Sequence, residues 1–454
     1  MNSIPTIHTL VLDFLKQNHL SMNKFADSIG MNVGALSNII SGKRSISVKQ
    51  LDQITAGMGL DEGYFYSFYI TEIFDQEIMD WRKIKPLLKR CADLHRLEEI
   101  HRIVQLTLDN LTYIPLLFDI AELFFNEGKN DAAILLYKGI AESERSQHSE
   151  RLALCQYRMF CLQLNDDQEH NLILATQFET YVERLNEDYQ LDAINKLLNI
   201  NISLCKWDKV ELNAHKLLNK ALKQYNMFGS NNSDRKTNNP LIFYILYAYL
   251  ELGDAYFHLK QHSKALEYVQ MYADATWVTS PDEEDKHIIE QFESWAVGNR
   301  YVYQLMAGQI DVMPEYINYM TTNENEISMG IYTIIIVANE YKINIDNILN
   351  RFSDYLQIKN YETLFSKTNQ QVTSNQNADF SRQLAIYYLN NGQLDTGIRY
   401  IIDSLEYAIK INNNNTKIKC LTAIFKISLQ HEEYTTNPNF KNLMSDLLEI
   451  SKKS

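Results

Sequence analysis

Residues 21–60 read SMNKFADSIGMNVGALSNIISGKRSISVKQLDQITAGMGL, and this stretch decides the fold of the N-terminal part of the chain. Ala26 is small enough for two short helices to touch there at a steep angle. Gly30 tolerates the positive φ that the turn between them requires. The apolar residues that would pack between these helices are Phe25, Ile29, Leu36 and Ile39. The spacing therefore predicts a helix-turn-helix.

Asn32 lies where its side chain can cap the second of these helices, whose N-terminal end would then enter a DNA major groove. A small helical hairpin with a glycine turn and no DNA partner satisfies part of the same pattern. Because the small residue, the turn glycine, the apolar positions and the cap all agree, we favour DNA binding.

The same stretch resembles the phage-repressor (XRE) helix-turn-helix family, and the resemblance extends over residues 1–70. It includes the S-G-K-R sequence at Ser41–Arg44, the capping residue Ser47 and the series Leu51, Ile54, Met58 and Gly59. The resemblance implies a recognition-helix surface made of Asn32, Val33, Gly34, Ala35, Ser37 and Asn38. It also implies phosphate contacts from Ser41, Lys43 and Arg44.

The recognition surface departs from a pattern common in that family, in which glutamine often stands at the positions of Val33 and Gly34. Neither residue can make a bidentate contact to a base edge. Val33 and Ala35 can contact a thymine methyl group, and Asn38 can reach an adenine. We therefore expect direct base readout by a single copy to be weak.

Charge points to a dimer. Residues 1–70 contain five basic and five acidic residues and are neutral, while the whole chain carries a formal net charge of −14. Since affinity for nucleic acid depends heavily on neutralised phosphates, one neutral head on an acidic body should bind DNA weakly. Two heads on adjacent half-sites would strengthen binding, so we expect a homodimer on double-stranded DNA.

Short motifs of catalysis and of metal or cofactor binding are absent from the sequence. It contains no P-loop, no dinucleotide-binding glycine turn and no nucleophile elbow. His95 and His101 are six residues apart, so they do not share a helix face as the zinc ligands of an H-E-x-x-H motif do. We therefore predict that the chain is not an enzyme and holds no cofactor and no metal.

Cysteine usage and hydropathy indicate a cytoplasmic protein. The five cysteines are scattered and lack a C-x-x-C pair, which favours reduced thiols. The N-terminal sequence MNSIPTIHTLVLDFLKQ has no basic start and no cleavage site, so it reads as an amphipathic helix rather than a signal peptide. No run of about 18 apolar residues occurs, and no membrane span is predicted.

From Cys91 onward the helical periodicity is continuous, strand signals are absent and glycines are few. Three segments nearly reproduce the tetratricopeptide pattern, in which small residues let paired antiparallel helices approach. Their matching residues are Ile120, Ala121, Phe124, Gly128 and Ala133; Tyr249, Leu252, Gly253, Tyr256, Ala265 and Tyr268; and Leu384, Ala385, Tyr388, Gly392 and Gly397. Weaker copies centre on Ile202, Gly298 and Ala338.

These patterns predict an all-α protein in which an N-terminal helix-turn-helix domain precedes a tetratricopeptide-like α-solenoid. The head should contain helices at 5–18, 21–29, 33–40, 47–58 and 61–69. The expected domains are the head at 1–70, a helical linker at 71–90, the repeat domain at 91–416 and capping or dimerisation helices at 417–454. Within the linker, Pro86 should start or break a helix.

An XRE-type head fused to such repeats resembles the RRNPP family of bacterial quorum-sensing regulators, which includes the arbitrium receptors of phages. The resemblance implies that a short imported signalling peptide binds in the repeats and changes how a dimer presents its heads to DNA. Asparagine suits an extended peptide, because its side chain both donates and accepts hydrogen bonds. The candidate residues are Asn126, Asn195, Asn199, Asn299, Asn339 and Asn390, with Arg158 and Arg382 for a peptide carboxylate.

Two other functions fit the same sequence. In the first, the chain is an XRE-family repressor whose repeats serve only dimerisation or a protein partner. In the second, the head has lost DNA binding and the chain is an interaction scaffold, which the neutral charge and the missing glutamines would explain.

Overall fold

The computed structural model of the chain describes residues 6–75, 80–229, 237–356 and 370–430, and after these only Pro438, Lys441 and Ser445. Within these ranges the regular structure is helical and no strand occurs, which confirms the all-α prediction. The chain divides into two compact units, Met1–Leu162 and Gln163–Ser454. Most of the predicted segment 417–454 beyond residue 430 lies outside the described residues.

The first unit contains the helix-turn-helix and the helices that follow it directly. Its α-helices are α1 (Ile7–Gln17), α2 (Met22–Ser28), α3 (Val33–Ile40), α4 (Val48–Gly57), α5 (Tyr66–Phe74), α6 (Trp81–Asp93), α7 (Leu97–Leu108), α8 (Ile114–Asn126), α9 (Asn130–Ser143) and α10 (Glu150–Gln163). The first four agree with the predicted helices to within two residues at either end.

Local hydrogen bonds start these four helices. The side-chain oxygens of Thr6, Ser21, Asn32 and Ser47 each accept a hydrogen bond from the backbone N–H three residues later. Each such cap stabilises its helix by about 1 kcal/mol. Ser47 and Gln50 also form a complete capping box. Single residues therefore encode these helix starts, which is why the sequence predicts them well.

Small residues let the helices of the head approach one another. Ala26 is fully buried, and Gly30 has a φ of +64°, so both fill the roles that the sequence predicts. A Cβ on Gly57 would lie only 2.1 Å from Ile29 Cγ2. The end of α4 can therefore pack on the end of α2 only because residue 57 has no side chain, and no motif in the sequence marks it for this role.

The prediction of a helix over residues 61–69 is wrong at both ends, because α5 starts and ends about five residues later. Gly63 has a φ of +79°, and this left-handed turn delays the helix start. The helix then continues past residue 70. Phe65 and Tyr69, two members of the aromatic run at 64–69, are buried in the first unit.

The prediction that Pro86 starts or breaks a helix is also wrong, because Pro86 lies inside α6. Proline has no N–H and leaves the carbonyl four residues earlier without its helical partner. That carbonyl belongs to Arg82, and both residues are exposed, so water can bond to it. The side chain of Asp80 caps the helix through the Arg82 N–H at 3.0 Å.

The second unit is a longer series of helices. They are α11 (Gln168–Phe178), α12 (Glu187–Ser203), α13 (Trp207–Phe228), α14 (Leu241–His258), α15 (His262–Ala273), α16 (Glu283–Met306), α17 (Met313–Thr322), α18 (Ile327–Tyr341), α19 (Asp346–Arg351), α20 (Gln370–Asn390), α21 (Leu394–Lys410) and α22 (Asn414–Gln430). Among the described helices of both units, none combines the length and the apolarity that a bilayer crossing requires.

The three repeat matches each form a pair of helices, namely α8 with α9, α14 with α15 and α20 with α21. One residue with positive φ reverses the chain within each pair: Gly128, Lys260 and Gly392 respectively. A Cβ on Gly397 would lie 2.4 Å from Leu389 Cγ, so glycine permits the close contact of α20 and α21. The centres of the weaker copies lie in the helices α12 (Ile202), α16 (Gly298) and α18 (Ala338). The predicted helical-repeat region is confirmed.

Residues far apart in the second unit meet at a polar contact, which we call the clasp and define as residues 167–168 with 411–413. The Gln168 N–H donates to the Ile411 carbonyl at 2.8 Å, and Asn413 Nδ2 donates to Gln168 Oε1 at 2.6 Å. Asn412 Nδ2 lies 3.0 Å from both carboxylate oxygens of Asp167. These contacts span 245 residues of sequence and join the start of α11 to the turn before α22.

Replacing Asn412 by glycine should weaken the clasp without straining the backbone, because Asn412 has a φ of +47°, which glycine adopts freely. The variant loses the hydrogen bonds to the Asp167 carboxylate, so the free energy of unfolding should fall by about 1–3 kcal/mol. Hydrogen exchange should accelerate in residues 167–171 and 411–416. Lys342→Gly, at another left-handed helix end with a φ of +55°, is the control and should leave exchange at the clasp unchanged. Equal exchange in both variants and the wild type would contradict this role of Asn412.

Candidate nucleic-acid interface and ligand-binding face

Helix α3 presents the predicted recognition surface to solvent. Its outward residues are Val33, Gly34, Ala35, Ser37 and Asn38, of which Val33 and Ala35 are partly covered. Its buried residues are Leu36, Ile39 and Ile40. The side of α3 that carries the predicted contacts is therefore free to meet a groove of DNA, while the other side holds the helix on the head.

The N-terminal cap of α3 lies close to Gly34, one of the departures from the family pattern. Asn32 Oδ1 accepts a hydrogen bond from the Ala35 N–H at 3.2 Å. A Cβ on Gly34 would lie 3.2 Å from the same oxygen, which is closer than ordinary van der Waals contact. A side chain at residue 34 would therefore require the Asn32 side chain to shift by a few tenths of an ångström.

The turn after α3 carries the predicted phosphate contacts. Ser41, Lys43 and Arg44 are exposed, and the Arg44 N–H donates to the Asn38 carbonyl at 3.1 Å, which holds the turn against the end of α3. Within the described ranges, neither Lys43 nor Arg44 forms an ion pair. Their charges are therefore available to neutralise phosphates beside the recognition helix.

Arg90 of α6 fastens the head to the helices that follow it in the first unit. Its Nε donates to Asp52 Oδ2 at 2.9 Å, and its Nη2 donates to Glu62 Oε1 at 3.1 Å. Asp52 also accepts a hydrogen bond from the Tyr66 hydroxyl at 2.7 Å. Burial, reinforced by this carboxylate, raises the pKa of Tyr66, so the phenol stays a donor. Arg96 donates to the Glu62 carbonyl at 2.6 Å. Arg90 and Arg96 therefore tie α4 and the segment around Glu62 to the helices that follow the head.

The predicted peptide-binding residues are divided between the two units. Asn126 and Arg158 belong to the first unit, where Asn126 is exposed at the end of α8. Arg158 is already engaged, because its Nε and Nη2 lie 3.0 and 2.8 Å from the carboxylate oxygens of Glu122. Its guanidinium also lies over the ring of Phe125. With its charge balanced in this way, Arg158 is a poorer candidate for a peptide carboxylate than the sequence suggests.

In the second unit, α12 and α14 contact each other through polar side chains. Asn199 Oδ1 accepts a hydrogen bond from the Tyr247 hydroxyl at 2.7 Å, and Asp192 accepts one from the Tyr244 hydroxyl. Asn195 stands between Asp192 and Asn199 on the same face of α12. It is 4% exposed, and its Oδ1 accepts no hydrogen bond. Two predicted residues, Asn195 and Asn199, therefore lie together at a buried polar contact.

Two acidic residues of α14 extend this polar contact, and both are absent from the predicted set. Glu251 is 5% exposed and its Oε2 accepts no hydrogen bond. Burial raises the pKa of Glu251, and the neighbouring Asp254 carboxylate raises it further. Asp254 accepts a hydrogen bond from the Tyr303 hydroxyl at 2.8 Å. The sequence does hold a signal for them, because Glu251, Asp254 and His258 recur at helical spacing in an apolar helix.

The side-chain amides of Asn299 and Asn339 form different hydrogen bonds. Asn299 Nδ2 donates to the Tyr272 hydroxyl oxygen at 2.9 Å, which engages it with α15. Asn339 Nδ2 donates to the Gln383 carbonyl of α20 at 2.9 Å, whereas its Oδ1 accepts no hydrogen bond. Asn339 therefore joins α18 to α20 and keeps an unused acceptor.

Arg382 and Asn390 lie on one face of α20 and line the same cavity, between α20 and α22. Arg382 Nη2 lies 2.6 Å from Asp379 Oδ1, and Asp379 accepts a further hydrogen bond from the Tyr332 hydroxyl at 2.6 Å. Asp379 thus holds the guanidinium at the cavity wall. These two predicted residues are the ones that the structure brings to a common cavity.

Three buried side-chain oxygens of the second unit accept no hydrogen bond from any part of the described chain: Asn195 Oδ1, Glu251 Oε2 and Asn339 Oδ1. They lie on α12, α14 and α18 respectively. A buried polar atom without a partner costs about 1–3 kcal/mol, so such atoms are uncommon unless water or a ligand completes them. N–H donors of a ligand would complete the two asparagine oxygens, and the Glu251 carboxyl, whose raised pKa favours its protonated form, can either accept or donate.

Removing the Arg90 side chain should loosen the head. Arg90→Ala deprives Asp52 and Glu62 of a partly buried ion pair, so the free energy of unfolding should fall by about 1 kcal/mol. Hydrogen exchange should also accelerate in α4, which carries Asp52. Arg82→Ala removes a 91% exposed arginine paired with Asp80 on the same α6, and this control should change neither measurement. If the two variants exchange alike in α4, Arg90 does not fasten the head.

Comparison with known protein families gives a match within the head. Residues 12–65 match the helix-turn-helix family, a range that includes α2, α3 and α4 complete. No curated protein is detectably similar in sequence to the chain. The chain therefore carries an XRE-type helix-turn-helix domain at its N-terminus, followed by a region of helical repeats.

Proposed function

We propose that the chain is a peptide-responsive, DNA-binding transcriptional regulator of bacterial cell–cell communication that acts as a homodimer. A short signalling peptide binds among the helices of the second unit and alters the DNA binding of the dimer. The family match of residues 12–65 and the exposed side of α3 support DNA binding. The resemblance in architecture to the RRNPP regulators supports the peptide.

The observation that carries the peptide proposal is the set of three unpaired acceptors, Asn195 Oδ1, Glu251 Oε2 and Asn339 Oδ1. An extended peptide has one backbone N–H per residue, proline excepted, and each needs an acceptor when it is buried. The three acceptors lie on helices of one compact unit. They are buried, so a ligand that completes them must part the helices around them.

Charge and surface composition support the homodimer. The head is neutral in a chain of net charge −14, so few phosphate contacts are available to one copy. Helix α22 exposes apolar side chains at helical spacing along one side. They are Ile418, Leu421, Phe425 and Leu429. An apolar stripe of this kind is typical of a surface that a second protein covers.

The alternative function is an XRE-family repressor whose repeats serve only dimerisation or a protein partner, without a peptide. The burial of the candidate acceptors favours it, because Asn195 and Glu251 are 4% and 5% exposed. A ligand can reach them only if the helices around them part. Under our proposal this opening is part of peptide entry, and the clasp limits it.

DNA binding is tested with the full chain and a labelled duplex from the region upstream of its own gene. Arg44→Ala should weaken binding to every sequence alike and lower the slope of log K against log salt by about one for each phosphate that is no longer neutralised. Asn38→Ala should instead reduce discrimination between this duplex and an unrelated one by about 1–3 kcal/mol. Lys16→Ala, an exposed lysine of α1, is the control of equal charge and should have little effect. No retained duplex at low or moderate salt would favour the scaffold function.

Peptide binding is tested by incubating the full chain with a pool of synthetic linear hexapeptides and identifying the retained ones by mass spectrometry. The affinity of a retained peptide, measured by calorimetry, should fall about tenfold or more in Asn195→Ala. Asn201→Ala is the matched control, because Asn201 lies on the same helix at 5% exposure but donates to the Leu197 carbonyl. The retained peptide should also change the affinity for the duplex. If no hexapeptide is retained, the repressor without a peptide ligand is the better description.

A further inference from the structure

A cavity of about 470 Å³ lies between α20 and α22 in the second unit. Its volume is within the range of about 300–1,000 Å³ that is usual for small-ligand sites. One part of its wall is positively charged, with Arg382, Lys419 and Lys426. Another part is apolar and includes Ile386, Leu389 and Ile418. No acidic residue is among the described residues that line it.

Two of the three positive charges lack a partner. Arg382 pairs with Asp379, as described above. Lys419 is half-buried and Lys426 is exposed, and neither forms a hydrogen bond or an ion pair with the described part of the chain. In a chain of net charge −14, a cavity wall with two unpaired lysines and no carboxylate from the described ranges is a local inversion of charge. An anion there would be attracted by both lysines.

The cavity also lies near the polar contacts of the second unit. Arg382 in the cavity wall pairs with Asp379, which accepts a hydrogen bond from the Tyr332 hydroxyl of α18 at 2.6 Å. Asn339, which keeps the unused acceptor Oδ1, bonds to Gln383, the residue that follows Arg382.

We propose that this cavity receives the carboxyl-terminal residue of the signalling peptide, with a free α-carboxylate between Lys419 and Lys426 and an apolar side chain against Ile386 and Leu389. This inference rests on the proposed function and adds the chemistry of the C-terminal end of the peptide. A terminal residue such as leucine offers a carboxylate and an apolar side chain on one carbon atom. The charged part of the wall matches the carboxylate, and the apolar part matches the side chain. Lys419 and Lys426 are absent from the residues predicted from the sequence.

The test compares two hexapeptide pools that differ only at the C-terminus, one with free acids and one with amides, on the full chain. Peptides retained from the acid pool should end in apolar residues and bind about tenfold or more tightly than their amides. In Lys419→Gln/Lys426→Gln this preference should fall to about threefold or less. Lys410→Gln, an exposed lysine at the end of α21 that does not line the cavity, should keep the full preference.

Each of the following outcomes would overturn the inference. They also show whether the proposed function fails together with it. Peptides that bind equally well as acids and amides would leave the regulator intact and remove the carboxylate site. Displacement of a labelled peptide acid by inorganic phosphate or hexanoate at matching concentrations would assign the cavity to a small free anion. Retention of no peptide from either pool would remove both the inference and the proposed function.

Discussion

The constraint on which the structure depends is that, within each unit, helices beyond the head bury their apolar sides against neighbouring helices, as in the pairs α8 with α9, α14 with α15 and α20 with α21. The chain must therefore reverse within a few residues, and it does so at single residues of positive φ. Between α6 and α7 this residue is His95, and between α12 and α13 it is Cys205; Gly128, Lys260 and Gly392 serve the three strongest repeats. A helix that packs against neighbours on two sides buries its apolar residues there, and its remaining side can carry polar residues.

Polar side chains join α12 to α14 and α18 to α20 inside the second unit, and some buried oxygens on these helices accept no hydrogen bond. A ligand that completes the three unpaired oxygens stabilises whichever arrangement of helices presents them correctly. A ligand must favour one state by about 5.5 kcal/mol to reverse a ratio of 1:99. Three completed acceptors, at about 1–3 kcal/mol each, supply free energy of that order. Because Arg90 joins α6 to α4 of the head, a shift of α6 would act on the head that carries α3.

Features set by neighbouring residues can be predicted from the sequence, and features set by distant ones cannot. The caps Ser21, Asn32 and Ser47 and the turn at Gly30 depend on three or four adjacent positions, so the helix-turn-helix and the repeat pairs are predictable. The late start of α5 depends on the φ of a single residue, Gly63, and the hydrophobic periodicity of the sequence does not reveal it. The ion pairs of Arg90 and the clasp join residues that are distant in sequence. The prediction of eight ligand residues takes asparagine as the main signal and therefore misses Glu251, whose Oε2 is equally unpaired.

The central claim is that a peptide supplies the donors that the second unit lacks. A crystal structure of the full chain with a peptide retained from the hexapeptide pool tests it most directly. The account predicts peptide N–H groups within about 3.5 Å of Asn195 Oδ1, Glu251 Oε2 and Asn339 Oδ1. An ordered peptide bound elsewhere, with these three oxygens still unpaired, would contradict it.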